Sequence, residues 1–315
     1  MKLSKWMERA REETARRSRR RSHLIVAVVS SIAAVPHKRD RCVLRRRLEW
    51  NVHKQTLLLG GQFKNFYRME VSSFERLLSY IRPALLRDES QSTRRAGAKP
   101  ISPENMLQMT ISWLAGSNYQ TTRCLGGTSV SAIYEAMHCV IDAICACPEL
   151  RIRSPTESPQ RMLDLADGFA EISKQNILTG CVGCIDGWLC ERSPGKVSDS
   201  IAFKKWKLRN AIMQLRSGFY IIGDNAYPLS DSVLVPFNKL EIKGKAFSDY
   251  NFYLSQLWIR IEMAFGLLVN KWLVFKRPHV VDFVNVKKVI KTCMKLHNFC
   301  IDERIKNQDA CTSIY

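Results

Sequence analysis

The chain has 315 residues and a mass of 36.2 kDa, and its 49 Lys and Arg against 29 Asp and Glu give a formal charge of +20 and a pI near 9.7. With 46% hydrophobic and 25% charged residues the composition is globular, which excludes wholesale disorder, and the length allows one large domain or two. The positive excess points to a polyanionic partner, nucleic acid or an anionic membrane surface, and carries no information about fold.

Half of that excess lies in the first 50 residues, where 15 Lys and Arg meet 5 Asp and Glu for a net +10. Two clusters, Arg16-Arg17-Ser18-Arg19-Arg20-Arg21 and Lys38-Arg39-Asp40-Arg41 with Arg45-Arg46-Arg47, have the pattern of a nuclear import signal or a phosphate-binding arm. Between them the apolar run Leu24 to Val35 is too short for a membrane span, which needs about 20 residues. Basic residues followed by such a run, with the cleavage-like Ser31-x-Ala33 within it, resemble a signal peptide. The length of the basic segment and the character of the rest favour a buried or partner-facing helix in an intracellular chain without membrane association. Eleven cysteines without regular spacing make no disulfide framework. Cys181-x-x-Cys184 lacks the second ligand pair of a zinc site and reads as small hydrophobes in a buried strand.

Residues 63–87, with Phe66, Phe74, Leu77, Leu78 and Ile81, predict a helix with Ser72 or Ser73 as N-cap and Pro83 near its end. After a polar loop from Asp88 to Pro100, Ser102-Pro103-Glu104 opens a helix through about Ala115. A short helix near Gln120 to Leu125, the turn Gly126-Gly127-Thr128-Ser129, and a longer helix with Ile133, Met137, Val140, Ile141 and Ile144 at helical spacing form a helix-turn-helix-like hairpin. Ser131, Tyr134 and Glu135 are its exposed candidates for a major groove; a helical hairpin with no DNA role has the same pattern.

Past Pro148 the pattern becomes mixed. A helix near Arg161 to Ser173 precedes strand-like segments at Cys181–Glu191, Asn210–Gln214 and Phe219–Ile222, and helices return near Tyr253–Lys271 and Val284–Glu303. The expected architecture is α/β: a basic tail over 1–50, a helical region over 51–150, a mixed region over 151–303 and a short tail over 304–315.

Asp186 and Asp224 each end a predicted strand, and Glu262 lies in an apolar helix that is expected to tuck it toward a core. Carboxylates at the exits of adjacent strands converge, and with a third from a covering helix they supply the hard oxygen donors that Mg²⁺ or Mn²⁺ requires. Such ions activate water and stabilise the leaving oxygen in phosphodiester cleavage. Taken singly, an Asp-Gly turn, an Asp before Tyr-Pro and a helix Glu beside Arg260 are ordinary features; their joint occurrence in a basic chain is what points to a metal site.

At these residues the sequence resembles the PIF/Harbinger transposases and the nucleases derived from them. Gly183-Cys184-Ile185-Asp186-Gly187, Gly223-Asp224-Asn225-Ala226-Tyr227-Pro228, Glu262-Met263-Ala264-Phe265-Gly266, Lys271-Trp272 and Leu296-His297-Asn298-Phe299 look like that family's successive blocks, in order. The resemblance implies an RNase H-like core, Asp186, Asp224 and Glu262 as catalytic and metal-binding triad, a divalent cation, DNA as substrate, an accessory DNA-binding protein and a nuclear location. The Asp186–Asp224 interval of 38 residues is shorter than the family's, which holds two more strands and a crossover helix. One antiparallel strand at Lys207–Gln214 is expected there, and a sheet face left exposed or filled by another element. Two functions follow: a metal-dependent DNA endonuclease, or a catalytically inactive DNA- or protein-binding factor. His297, on an apolar helix, reads as a packed, hydrogen-bonded histidine rather than a catalytic one. No Gly-rich phosphate loop of Walker or Rossmann spacing occurs.

Overall fold

The computed structural model describes residues 46–88, 100–187, 203, 206, 208–276 and 283–312; the basic clusters before Arg46 and the apolar run at 24–35 lie outside them. Among the described residues six helices come first: α1 (Trp50–Leu59), α2 (Phe63–Tyr67), α3 (Val71–Leu85), α4 (Pro103–Leu114), α5 (Tyr119–Gly126) and α6 (Val130–Ala146). Caps written in the sequence set several starts. Ser102 Oγ accepts from the Asn105 amide with Pro103 in the first turn, and Ser129 Oγ accepts from the Ala132 amide. The expected helix over 63–87 is instead two. The chain breaks at Arg68, which is left-handed (φ 59°), and α3 starts from Glu70, so Ser72 and Ser73 lie inside the helix rather than capping it.

The apolar faces of these helices meet in one core around Phe74, Leu107, Ile133 and Ile144. The second half of the chain contributes to it. Helix α7 (Pro159–Ile172), strand β1 (Cys181–Cys184), helix α8 (Leu208–Met213), strands β2 (Tyr220–Ile222) and β3 (Val233–Leu234), and helices α9 (Lys245–Lys271) and α10 (Phe283–Thr312) follow in order. Leu268 of α9, Trp272, Val274, and Val289, Cys293, Leu296 and Phe299 of α10 pack into the helical core, and residues 47–315 form one compact unit. Lys295 of α10 is buried there, with Nζ donating to the carbonyls of Ile144 (3.0 Å), Cys145 (2.9 Å) and Cys147 (3.1 Å) at the end of α6.

The sheet has the order β1-β2-β3, all parallel. Both faces are covered, as parallel sheets require. Cys181 and Ile222 pack on Leu254 and Leu257 of α9, while Val182, Ile221 and Val233 pack on Met162 and Ala166 of α7, Phe203, and Ile212 of α8. A bulge between Cys181 and Gly183 lets the two cysteines share the α9 face despite their three-residue spacing. Beside the Cys181 thiol, and buried, the Cys184 thiol is pushed well up and stays protonated.

Residues 208–213 form a helix, not the strand the spacing predicted. Leu208, Arg209, Ala211 and Met213 are strong helix formers, and a parallel β1–β2 pair needs a crossover that a helix supplies. The sheet face expected to lack its cover is filled by this helix through Ile212. The region also holds β3, a two-residue strand too short to show any period in the sequence.

At the start of the sheet Gly180 is left-handed (φ +85°), its carbonyl accepts from the Tyr220 amide, and a Cβ there would lie 2.0 Å from the Gly218 oxygen. Gly180→Ala is expected to destabilise by about 3 kcal/mol, from positive-φ strain plus displaced backbone. Gly168→Ala on the open face of α7, where nothing lies within 4 Å, is expected to stabilise by about 0.5–1 kcal/mol. Urea melts of the two variants check this.

Among the described residues α9 is the one helix long and apolar enough to cross a membrane by length and composition. It docks on the sheet through Leu254 and Leu257, with Phe252, Ile259, Met263 and Leu267 exposed on its other side.

Candidate nuclease site

Strand pairing places the two aspartates. Cys184 of β1 is in register with Ile222 of β2, so Asp186 and Asp224 each stand two residues beyond the last paired position, on adjacent parallel strands and at the same sheet edge. Neighbouring strands run about 4.7–4.9 Å apart. The exits are tied together, since the Ile185 amide donates to Ile222 O at 2.7 Å and the Gly223 amide donates to Leu234 O at 2.9 Å. Gly223 lacks the side chain that would strike the Tyr227 ring at 2.8 Å and Ile185 at 3.2 Å, so the Asp224 loop can fold back over the edge. Tyr227 is buried there, edge-on to Phe203.

Each aspartate is oriented by its own turn. Asp186 Oδ1 accepts from the Gly187 amide at 2.7 Å, and Asp224 Oδ1 accepts from the Ala226 amide at 3.0 Å while the Tyr227 amide donates to the Asp224 carbonyl. Both side chains are half-buried, facing the edge rather than the core.

Glu262 differs from expectation. Lys174 and Cys184 are bonded by Gln256 and Leu257 of α9, which fixes the helix on the sheet, but Glu262 lies a turn past Trp258 on the exposed side, beside Ile259 and Met263. The apolar residues around it do not tuck it inward, because the helix turns only Leu254 and Leu257 to the sheet. Among the described residues no three His, Cys, Asp or Glu side chains stand close enough together to hold a metal ion. The donor chemistry of the aspartate pair fits a hard cation, and the third ligand is not placed with them.

Helices α5 and α6, expected to form a helix-turn-helix-like hairpin, are joined by a short turn. The axis bends by 98° across a short turn in which Gly127 is left-handed (φ 59°). Of its three candidate contacts only Ser131 is both exposed and uncommitted to another element. Tyr134 is half-buried against Tyr119, with ring centroids at 6.0 Å, and Glu135 is paired with Arg87 at 2.9 Å.

Two histidines are packed rather than catalytic. His297 is half-buried, and burial and the nearby Lys271 ammonium lower its pKa; its Nδ1 has no hydrogen-bond partner among the described residues, so the expected bond is not found at that nitrogen. His53 Nε2 meets the Tyr67 hydroxyl at 2.9 Å inside an aromatic cluster with Trp50, and burial lowers its pKa as well. Both therefore bind a proton less readily folded than unfolded. Their contribution is full above the unfolded value near 6.5 and is lost as pH falls through the folded values. The melting temperature is expected to drop between pH 7.5 and 5, and less steeply in His53→Gln, as paired thermal melts would read.

Residues 155–298 match the family model described as DDE superfamily endonuclease, a span that contains both aspartates, Glu262 and the whole sheet. No curated protein and no solved structure matches the chain.

Proposed function

We propose that the chain is a divalent-metal-dependent endonuclease acting on DNA, with a Harbinger-type RNase H-like core. The observation that carries this reading is the parallel register that sets Asp186 and Asp224 side by side at one sheet edge, inside the segment that matches the endonuclease family model. The reading is supported by the parallel order β1-β2-β3 with α9 laid across it, where the described residues reach the second aspartate through a single crossover helix. Asp186 and Asp224 would hold Mg²⁺ or Mn²⁺, with Glu262 as third ligand; a bound ion supplies activation of water and charge neutralisation at the scissile phosphate. The Asx turn at Asp224 and the Gly187 amide at Asp186 keep the two carboxylates aimed at the edge. The +20 charge draws in the DNA. The basic N-terminal clusters serve nuclear import, and target choice falls to an accessory DNA-binding protein.

The second reading, a transposon-derived binding factor without turnover, is favoured by the exposed Glu262. A plasmid-nicking assay in Mg²⁺ and then Mn²⁺ separates the two. Metal-dependent nicking lost in Asp186→Asn, Asp224→Asn and Glu262→Gln supports the enzyme; salt-sensitive binding with no nicking, or nicking unchanged in these variants, supports the factor.

A further inference from the structure

Away from the carboxylate edge, a cavity of about 610 Å³ opens between α2, the start of α3, the end of α9 and α10. Cations from four segments line it: Lys64, Arg68, Lys271 and Arg304. Its two acids are already answered, Glu70 by Lys64 at 2.5 Å, and Glu303, 3% exposed, by Arg76 at 2.7 Å and Lys306 at 3.5 Å. Arg68, Lys271 and Arg304 make no ion pair among the described residues, so the lining keeps unbalanced positive charge. The Arg68 Nε is buried without a partner, and the residue is held in the left-handed region where a non-glycine residue is uncommon.

The remaining wall holds Met69, Cys300, Asn307 and Ser73. Ser73, only 3% exposed, lines the cavity. It lies in the first turn of the 15-residue α3, which has no side-chain cap, so the uncapped start of the helix borders the same space. An orphaned guanidinium donor and three cations with no ion pair, with the Ser73 hydroxyl beside them, are arranged for an anion with several oxygens.

We propose that this cavity binds a phosphate-bearing ligand, through Arg68, Lys271 and Arg304 with Ser73 and the first turn of α3 supplying neutral donors. Its volume exceeds what one inorganic phosphate fills and admits consecutive phosphates, as a DNA backbone or a free polyphosphate carries. The proposal does not depend on the nuclease reading, since none of these residues lies in the sheet.

The probe is inorganic tripolyphosphate, titrated calorimetrically into the full chain at constant ionic strength. Saturable binding is expected, weakened tenfold or more in Arg68→Gln/Arg304→Gln and unchanged in Lys287→Gln/Lys291→Gln, which removes equal charge from the exposed face of α10. Arg304 is exposed, so Arg304→Gln alone, expected to weaken binding several-fold, tests the site even where the Arg68 change impairs folding. Absence of saturable binding, or equal weakening in the lysine pair, overturns the proposal. A duplex displaced by tripolyphosphate identifies backbone phosphates as the ligand; a duplex that stays bound identifies a free polyphosphate; either outcome upholds the site. Asp186→Asn, expected to bind tripolyphosphate normally, keeps a failure here distinct from a failure of the nuclease reading.

Discussion

Asp186→Asn and Asp224→Asn proteins are each expected to nick DNA at least about a thousandfold more slowly than wild type while binding the duplex with little change. Each substitution removes the charge on one donor of the proposed metal site and preserves its shape. Metal-derived stabilisation of a phosphoryl transition state is worth several kcal/mol, and about 4 kcal/mol corresponds to three decades in rate. Folding should be spared. Both side chains are half-buried at the sheet edge, and an Asn oxygen accepts from the Gly187 or Ala226 amide as the carboxylate does. Single-turnover kinetics alongside duplex binding read the two effects separately. Loss of binding in step with loss of nicking would mean that the aspartates hold the fold or the DNA rather than the reaction.

The largest stability effect is expected at a residue that carries no chemistry. Lys295→Met removes the ammonium that satisfies three carbonyls at the end of α6, in a position 5% exposed. Burial, and then Lys291, lower the Lys295 pKa, yet its three donors match the helix end geometrically and electrostatically. Leaving buried acceptors unpaired costs about 1–3 kcal/mol each, so a total of about 4 kcal/mol is expected, with partial relief from water. For a unit of this size that corresponds to roughly 8–12 °C in melting temperature. Lys287→Met on the same helix, exposed, should shift it by less than a degree or two. Equal shifts would show that α10 is held by its apolar face alone.

Much of the helical half was legible because its starts are written in capping residues. Ser102 and Ser129 each cap the helix they precede, and the 3.6-residue spacing of Ile133, Met137, Val140 and Ile144 marks the buried face of α6. The break at Arg68 was not legible, since no local signal there favours a left-handed residue over a continued helix. Residues 208–213 misled because a short apolar segment has no period long enough to separate strand from helix; the need for a crossover between parallel strands decided it.

Of the candidate site, the strand exits were readable and their adjacency depended on pairing that only the fold supplies. Glu262 misled for the opposite reason. The helix that carries it is apolar enough in sequence to read as buried all round, whereas α9 buries Leu254 and Leu257 and leaves Ile259, Met263 and Leu267 exposed. Lys295 was invisible because its partners are backbone atoms 148–151 residues away.

The central claim, that Asp186 and Asp224 form one metal centre, is tested most directly by replacing the bound ion with Fe²⁺ and mapping ascorbate-driven cleavage of the polypeptide. Cuts near both residue 186 and residue 224, suppressed by excess Mg²⁺ and lost in either Asp→Asn variant, are the predicted result. Cuts at neither site, or at only one and indifferent to the other aspartate, would contradict it.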